Sequence, residues 1–269
     1  MIALSHRDES IPERLVPGTL AWNMYEYEHK QRYEFFAPLC RSLAVLDAAC
    51  GVGYGSSILA KFGAASVVGA DISKEAVGYA RRHFARPGVQ FVHCDVERLS
   101  IPPHSVDVVI SFETIEHLEH PRIFMEQVRS VLRPNGLFVC STPNRDFFDR
   151  AAEPNPHHLH EMSFDEFTDV FGQYFDIEER YYQTHSDAYR RHIQLLRELG
   201  YLTKPVRFSK FLRFENFMRR SARQDSWSAA PLSSELARAV AGDYVIEPLD
   251  RPLDSQLTFI FVGRARSNA

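Results

Sequence analysis

The sequence predicts an α/β fold, an open and mostly parallel sheet with helices on both faces. Two observations predict it. Short, nearly continuous apolar runs alternate with segments of helical spacing from residue 43 to residue 144. Such runs are what strands buried on both sides look like. The first run, "VLDA", leads directly into a glycine turn and then a helical segment, "ACGVGYGSSILA". In open α/β sheets ligands sit beyond the carboxyl ends of the strands, and a turn of this kind usually forms the site.

In chain order, residues 24–41 read as an amphipathic helix ahead of the core. Strands are predicted at 43–48, 66–71, 89–93, 106–112 and 136–141, with helices near 55–63, 74–85 and 119–132. "RPNG" at 133–136 is a turn that stops a helix before the fifth strand. "SFDEFTDVFGQYF" (163–175) reads as a helix whose Ser163 and Glu166 have the spacing of a capping box. A sixth strand is expected at 175–183 and a seventh at 256–265. The long connection between them, 184–255, reads as a helical insertion. The whole of 1–269 is read as a single domain, with 1–42 as an N-terminal helical cap.

At 269 residues, 45% hydrophobic and 25% charged, the chain suits one large globular domain. A net charge of −4 argues against binding nucleic acid by charge alone, so DNA is not expected as a partner. The opening "MIALSHRDESIPERL" is too charged for a signal peptide, and no apolar run approaches a membrane span. Cys40, Cys50, Cys94 and Cys140 show no metal spacing and are expected to be buried free thiols in a reducing cytoplasm.

The turn itself reads Gly51-Val-Gly53-Tyr-Gly55, which is GxGxG and not the dinucleotide GxGxxG. Alone it leaves open a cofactor turn and a bare strand-to-helix turn. The surrounding acids favour the first. Asp71 ends the second strand, where a carboxylate can accept bonds from both ribose hydroxyls. Asp95 follows the third strand, where it can meet an adenine amino group while Val96 packs on the ring. Asp47 precedes the turn; its charge would repel a pyrophosphate and attract a cationic amino-acid end.

"VLDAACGVG", "VVGADIS", "CDVERL", "VDVVISFETIEHL" and "VRSVLRPNGLFVCSTPN" follow in an order and spacing that resemble the class I S-adenosylmethionine-dependent methyltransferases. Ala49 stands where a glycine is common. Outside that core, "ERLVPG", "EHKQRYEFF" and "NPHHLHEMSFDEF" resemble members associated with polysaccharide and O-antigen biosynthesis. The resemblance implies a Rossmann-like, seven-stranded sheet whose last strand is antiparallel. It implies S-adenosyl-L-methionine as cofactor. Asp47, Ala49, Gly51 and Gly53 would surround its methionine part, Asp71 and Ile72 its ribose, and Asp95 and Val96 its adenine. Phe112 would lie beneath the methionine end, and Arg32 and Tyr33 could close over the cofactor or belong to a solvated helix face.

Methyl transfer from a sulfonium is an in-line displacement, and a hydroxyl acceptor benefits from a base. Candidates follow the fourth and fifth strands: Glu113, Glu116, His117, His157, His158, His160 and Glu161. His117 could meet the substrate or pack against the methionine pocket. His158 and Glu161 match the family's "NPxHxxE" form, and His158 is the favoured base. The histidine spacing fits no standard metal motif, so no metal is expected.

Residues 190–223 hold ten Lys or Arg against two Glu, interleaved with Phe208, Phe211, Phe214 and Phe217. That is either a solvated helical face or an apolar stripe flanked by cations. Such a stripe could cap the acceptor site, pack in a dimer or lie on an anionic membrane. A phosphorylated acceptor would suit the charge, and no recognised RNA-binding motif is present. The resemblance therefore points to O-methylation of a sugar hydroxyl on a glycan or nucleotide-sugar intermediate. Two alternatives stay open, a small-molecule O-, N- or C-methyltransferase and a non-catalytic cofactor-binding partner.

Overall fold

A computed structural model of the chain describes residues 20–148, 157–185, 244–249 and 258–266. The basic stretch 190–223 lies outside the described residues.

Helix α1 (Leu20–Phe36) is followed by a 3-10 turn, Ala37–Cys40, where Pro38 withholds the N–H that a continued α-helix needs. Then come β1 (Ala44–Ala48), α2 (Tyr54–Lys61), β2 (Ser66–Asp71), α3 (Lys74–His83) and β3 (Val89–His93). After these run β4 (Val106–Phe112), α4 (Pro121–Val131), β5 (Leu132–Pro143) and the single turn α5 (Arg145–Phe148). The chain continues through α6 (Phe164–Gly172), β6 (Phe175–His185), β7 (Tyr244–Pro248) and β8 (Thr258–Ala265). At α6 both halves of the expected capping box form: Ser163 Oγ accepts from Glu166 N, and a Glu166 carboxylate oxygen accepts from Ser163 N.

The strands make one sheet in the order β3-β2-β1-β4-β5-β8-β6-β7. Strands β1 to β5 pair in parallel, and β8 enters antiparallel to both β5 and β6. The expected antiparallel last strand is therefore present. The count differs from the seven expected, because eight strands are formed by the described residues. The additional one is β7, which lies inside the 184–255 stretch read as helical and pairs antiparallel with β6, Tyr181 to Pro248 through His185 to Tyr244. The "RPNG" turn also has a different setting. Val106 pairs with Leu132 but Val108 with Leu137, so residues 133–136 bulge out of β5, with Asn135 at a φ of 63°.

Both faces of the sheet are buried. Along β4, Val108 and Ile110 join one apolar cluster with Tyr33, Phe36, Leu59 and Phe91, while Val109 joins the other with Phe124, Phe138, Phe171 and Phe261. The alternation is the two-residue period of a strand. β8 repeats it, with Phe259 and Phe261 on one side and Ile260 and Val262 on the other. All four cysteines are buried and free, as expected. No described helix is long and apolar enough to cross a membrane.

Because β1 pairs with both β2 and β4, the strand order reverses direction beside β1. The carboxyl ends of β1, β2, β4 and β5 then share one edge, and the predicted site residues follow those ends.

Candidate functional site

The turn after β1 needs backbone that side chains disfavour. Ala49, Gly51 and Gly53 all take positive φ, at 62°, 55° and 90°. Glycine accepts this at little cost, whereas Ala49 bears strain. The three glycines have different reasons to lack a side chain. A Cβ on Gly53 would lie 2.7 Å from Ala80 and Phe91, and one on Gly55 would lie 2.1 Å from the Tyr33 ring. Those two glycines let α2 pack closely. A Cβ on Gly51 would meet nothing within 4 Å, so open space faces the turn there.

Asp71, at the end of β2, is buried and accepts from Gly51 N and Ser73 N, both at 2.8 Å. It ties the glycine turn to the next strand end. Ile72 beside it is 60% exposed, unusual for so apolar a side chain. Asp95 caps a 3-10 turn by accepting from Glu97 N at 2.9 Å, and Val96 is buried.

Asp47 is fully buried, with Tyr33 Oη donating to one oxygen at 2.9 Å and Ser56 Oγ to the other at 2.6 Å. Burial pushes its pKa up from 3.8 to about 6, and the two hydroxyl bonds hold the rise in check. Tyr33 also meets Phe112 edge-on at 4.9 Å between centroids. Arg32 and Tyr33 are thus core groups and not part of a solvated face: Arg32 is entirely buried. Its Nη1 lies 3.1 Å from Glu113 Oε1 and its Nη2 lies 3.3 Å from Glu28 Oε1. Burial opposes its charge, but Glu113 and Glu28 more than restore it. Glu113 carries a positive φ of 51° at the end of β4, where Ser141 Oγ donates to its carboxylate at 2.7 Å.

A second group of predicted residues gathers further along the same edge. Glu116 is fully buried and accepts from Thr142 Oγ1 at 3.2 Å. Burial, then the neighbouring charge of Glu113, pushes its carboxyl well above the usual range. Its backbone carbonyl accepts from Leu159 N and His160 N, at 2.8 and 3.0 Å, which fastens the loop after β5 onto the turn after β4. The His117 and His158 rings meet edge-on at 4.8 Å, and His158 Nδ1 lies 2.5 Å from Glu161 Oε1. His117 Nδ1 lies 2.9 Å from the His157 carbonyl. The His160 side chain is exposed.

Sequence reasoning missed the burial of Arg32 and the roles of Glu28, Ser56, Ser141 and Thr142. The signal for Arg32 was the spacing of Glu28 four residues before it on a helix. The hydroxyls of Ser141 and Thr142 carry no such signal, because their partners Glu113 and Glu116 lie more than twenty residues away in the sequence.

Residues 46–140 match a family model described as a methyltransferase domain. A probable S-adenosylmethionine-dependent methyltransferase of Mycolicibacterium smegmatis is 37% identical over 160 residues, 59% of this chain and 61% of that one. A ubiquinone biosynthesis O-methyltransferase of Roseobacter denitrificans is 36% identical over 108 residues, 39% of this chain and 43% of that one. The chain thus spans less than two thirds of the length of the curated relatives it matches. Among solved structures, an S-adenosylmethionine-dependent methyltransferase from Mesorhizobium loti superposes with a TM-score of 0.52 at 17% identity, covering 87% of this chain and 96% of that one, which shows the shared fold. Residues 46–140, which hold the glycine turn, Asp71, Asp95, Glu116 and His117, are thus similar to a methyltransferase domain and to part of a probable S-adenosylmethionine-dependent methyltransferase.

Proposed function

We propose that the chain transfers a methyl group from S-adenosylmethionine to a hydroxyl oxygen. One observation carries this reading. The open space facing Gly51 and the cluster of Glu116, His117 and His158 lie beyond the carboxyl ends of strands in one parallel array.

The residues at the first place fit the cofactor. Asp71 offers a carboxylate to the ribose hydroxyls, Asp95 offers one to the adenine amino group, and Val96 and the exposed Ile72 offer apolar contact. Gly51 leaves room for close approach, and Ala49 and Gly53 shape the turn around it. Asp47, held by the Tyr33 hydroxyl, supplies negative charge for the ammonium end, and Phe112 packs against Tyr33. When bound, S-adenosylmethionine supplies a sulfonium methyl open to in-line attack. The chain's part is to hold the acceptor oxygen in line and about 3 Å away. In the simplest form His158 takes the hydroxyl proton at Nε2, with Glu161 accepting from Nδ1. His117 packs against it.

The acceptor is read as a small molecule bearing a hydroxyl. The sequence resemblance favours a sugar on a glycan or nucleotide-sugar intermediate. The similarity to ubiquinone biosynthesis O-methyltransferases supports oxygen as the methylated atom and admits a ring hydroxyl. Incubation with methyl-labelled S-adenosylmethionine and pooled acceptors tests this. Label in sugar or phenol pools is expected. Label confined to amines would remove the oxygen assignment. No label in any pool, with S-adenosylhomocysteine still bound, would favour a non-catalytic binding partner.

A further inference from the structure

The cluster after β4 and β5 brings a buried carboxyl group beside two imidazoles. Glu116 Oε1 is buried with no hydrogen-bond partner. His117 Nε2 stands 3.8 Å from it, too far for a hydrogen bond. The carbonyl that His117 Nδ1 meets can only accept, so Nδ1 carries the proton and Nε2 keeps its lone pair. Likewise the carboxylate of Glu161 at His158 Nδ1 leaves a lone pair on His158 Nε2. Glu116, His117 and His158 bring one ligand atom each within 4.8 Å of one another. A buried carboxylate oxygen with no hydrogen-bond partner, set close to two imidazole nitrogens, is costly unless something positive lies beside it.

We propose that Glu116, His117 and His158 bind one divalent first-row transition-metal cation. Metal–ligand bonds of about 2.0–2.2 Å place ligand atoms roughly 3 to 4.4 Å apart. The three groups need to close only slightly to reach that. Two imidazoles and a carboxylate suit such an ion and leave coordination positions for an acceptor. The outer partners are also those of metal-bound histidines. A carbonyl at His117 Nδ1 and a carboxylate at His158 Nδ1 orient both rings and raise the basicity of the Nε2 nitrogens. Linear spacing hid the set, because His158 is brought to His117 only by the loop after β5.

The ion's role rests on the methyl-transfer reading; its binding does not. An acceptor oxygen on the ion would have a lowered pKa. Its O–H bond breaks with the proton passing to water. The oxygen lone pair then forms the new O–CH3 bond, and the C–S electron pair stays on sulfur as the thioether. His158 Nε2 is on this account a ligand and not a free base.

The test is a titration of the full chain, free of any polyhistidine tag and stripped by chelator, with cobalt(II) chloride read by visible absorption. One saturating equivalent with d–d bands is expected. His117→Ala and His158→Ala should abolish the bands. Glu161→Gln should weaken binding about 10- to 100-fold. Glu116→Gln removes the charged ligand while relieving its burial, so it should fold and bind cobalt poorly. His83→Ala, on the exposed side of α3, should bind as the parent does. Circular dichroism confirms that each variant is folded. Absence of saturable bands in the parent, or equal affinity in both histidine variants, overturns the site. S-adenosylhomocysteine binding, measured by calorimetry on the same samples, separates the two readings. Cofactor binding without cobalt binding overturns the metal site alone. Cobalt binding without cofactor binding supports the site and overturns the methyl-transfer reading.

Discussion

Asp71 does two things with one carboxylate. It holds Gly51 N and Ser73 N, and in the proposed site the same carboxylate receives the ribose hydroxyls. Asp71→Ala should therefore weaken S-adenosylhomocysteine binding tenfold or more, about 1.4 kcal/mol, by calorimetry. Asp71→Asn, which keeps the shape, should fall between. Unchanged affinity in both would remove Asp71 from the ribose site. Asp47 makes a pH-dependent contribution of the opposite sign to an ordinary paired carboxylate. Its folded pKa, about 6, is above the usual 3.8, so the folded state holds the proton more tightly. The resulting penalty is absent below pH 3.8, grows as pH rises through the window, and is complete above about 6. Asp47→Asn should thus gain thermal stability relative to the parent between pH 4 and pH 7. A cationic ligand end beside Asp47 favours its charged form, so S-adenosylhomocysteine affinity in the parent should fall as pH drops through about 6. In Asp47→Asn that dependence should disappear. A parent affinity that is flat from pH 5 to 7 would detach Asp47 from the ammonium end.

At the scale of elements, α1 and α2 meet where the Tyr33 ring lies over Gly55. A Cβ on Gly55 would fall 2.1 Å from that ring, and the ring is fixed by Asp47 and Phe112. Gly55→Ala should cost about 1–3 kcal/mol of stability as overpacking, read from denaturant melts. Gly51→Ala meets no atom, so its stability loss should be confined to the left-handed backbone, about 1 kcal/mol. Cofactor affinity should fall more in Gly51→Ala than in Gly55→Ala. The reverse order would mean that Gly51 faces no ligand. The parallel strands were legible because they are buried on both faces: the predicted 66–71, 89–93 and 106–112 coincide with β2, β3 and β4. The capping box of α6 was legible because its partners are three residues apart. β7 was not, because its five residues, "YVIEP", alternate weakly and include a proline at the end. Of the site, the glycine turn and the acids at strand ends could be read locally. The gathering of Glu116, His117 and His158 could not, since it depends on two backbone bonds from Leu159 and His160 to the Glu116 carbonyl.

Across the whole molecule, the strands separate two apolar clusters while belonging to both. Neither face can loosen without exposing the other side of the same strands, so the described core should unfold in one calorimetric transition. At the far edge of the sheet, His185 pairs with Tyr244, and the connection 186–243 lies outside the described residues. Paired ends of this kind can be joined by a two-residue hairpin turn. A chain with 186–243 replaced by Asn-Gly should fold and bind S-adenosylhomocysteine within about threefold of the parent, less than 1 kcal/mol. Loss of the fold would show that the replaced stretch supports the sheet.

That closed pairing gives the chain a socket. Fifty-eight residues leave and return at one rung of one ladder, His185 opposite Tyr244, so their length places no demand on how the other strands are threaded. Exchanging this piece would leave the residues proposed to hold the cofactor in place, because all of them lie outside it. Laboratory selection can use this, randomising the cartridge and first discarding every variant that no longer retains S-adenosylhomocysteine.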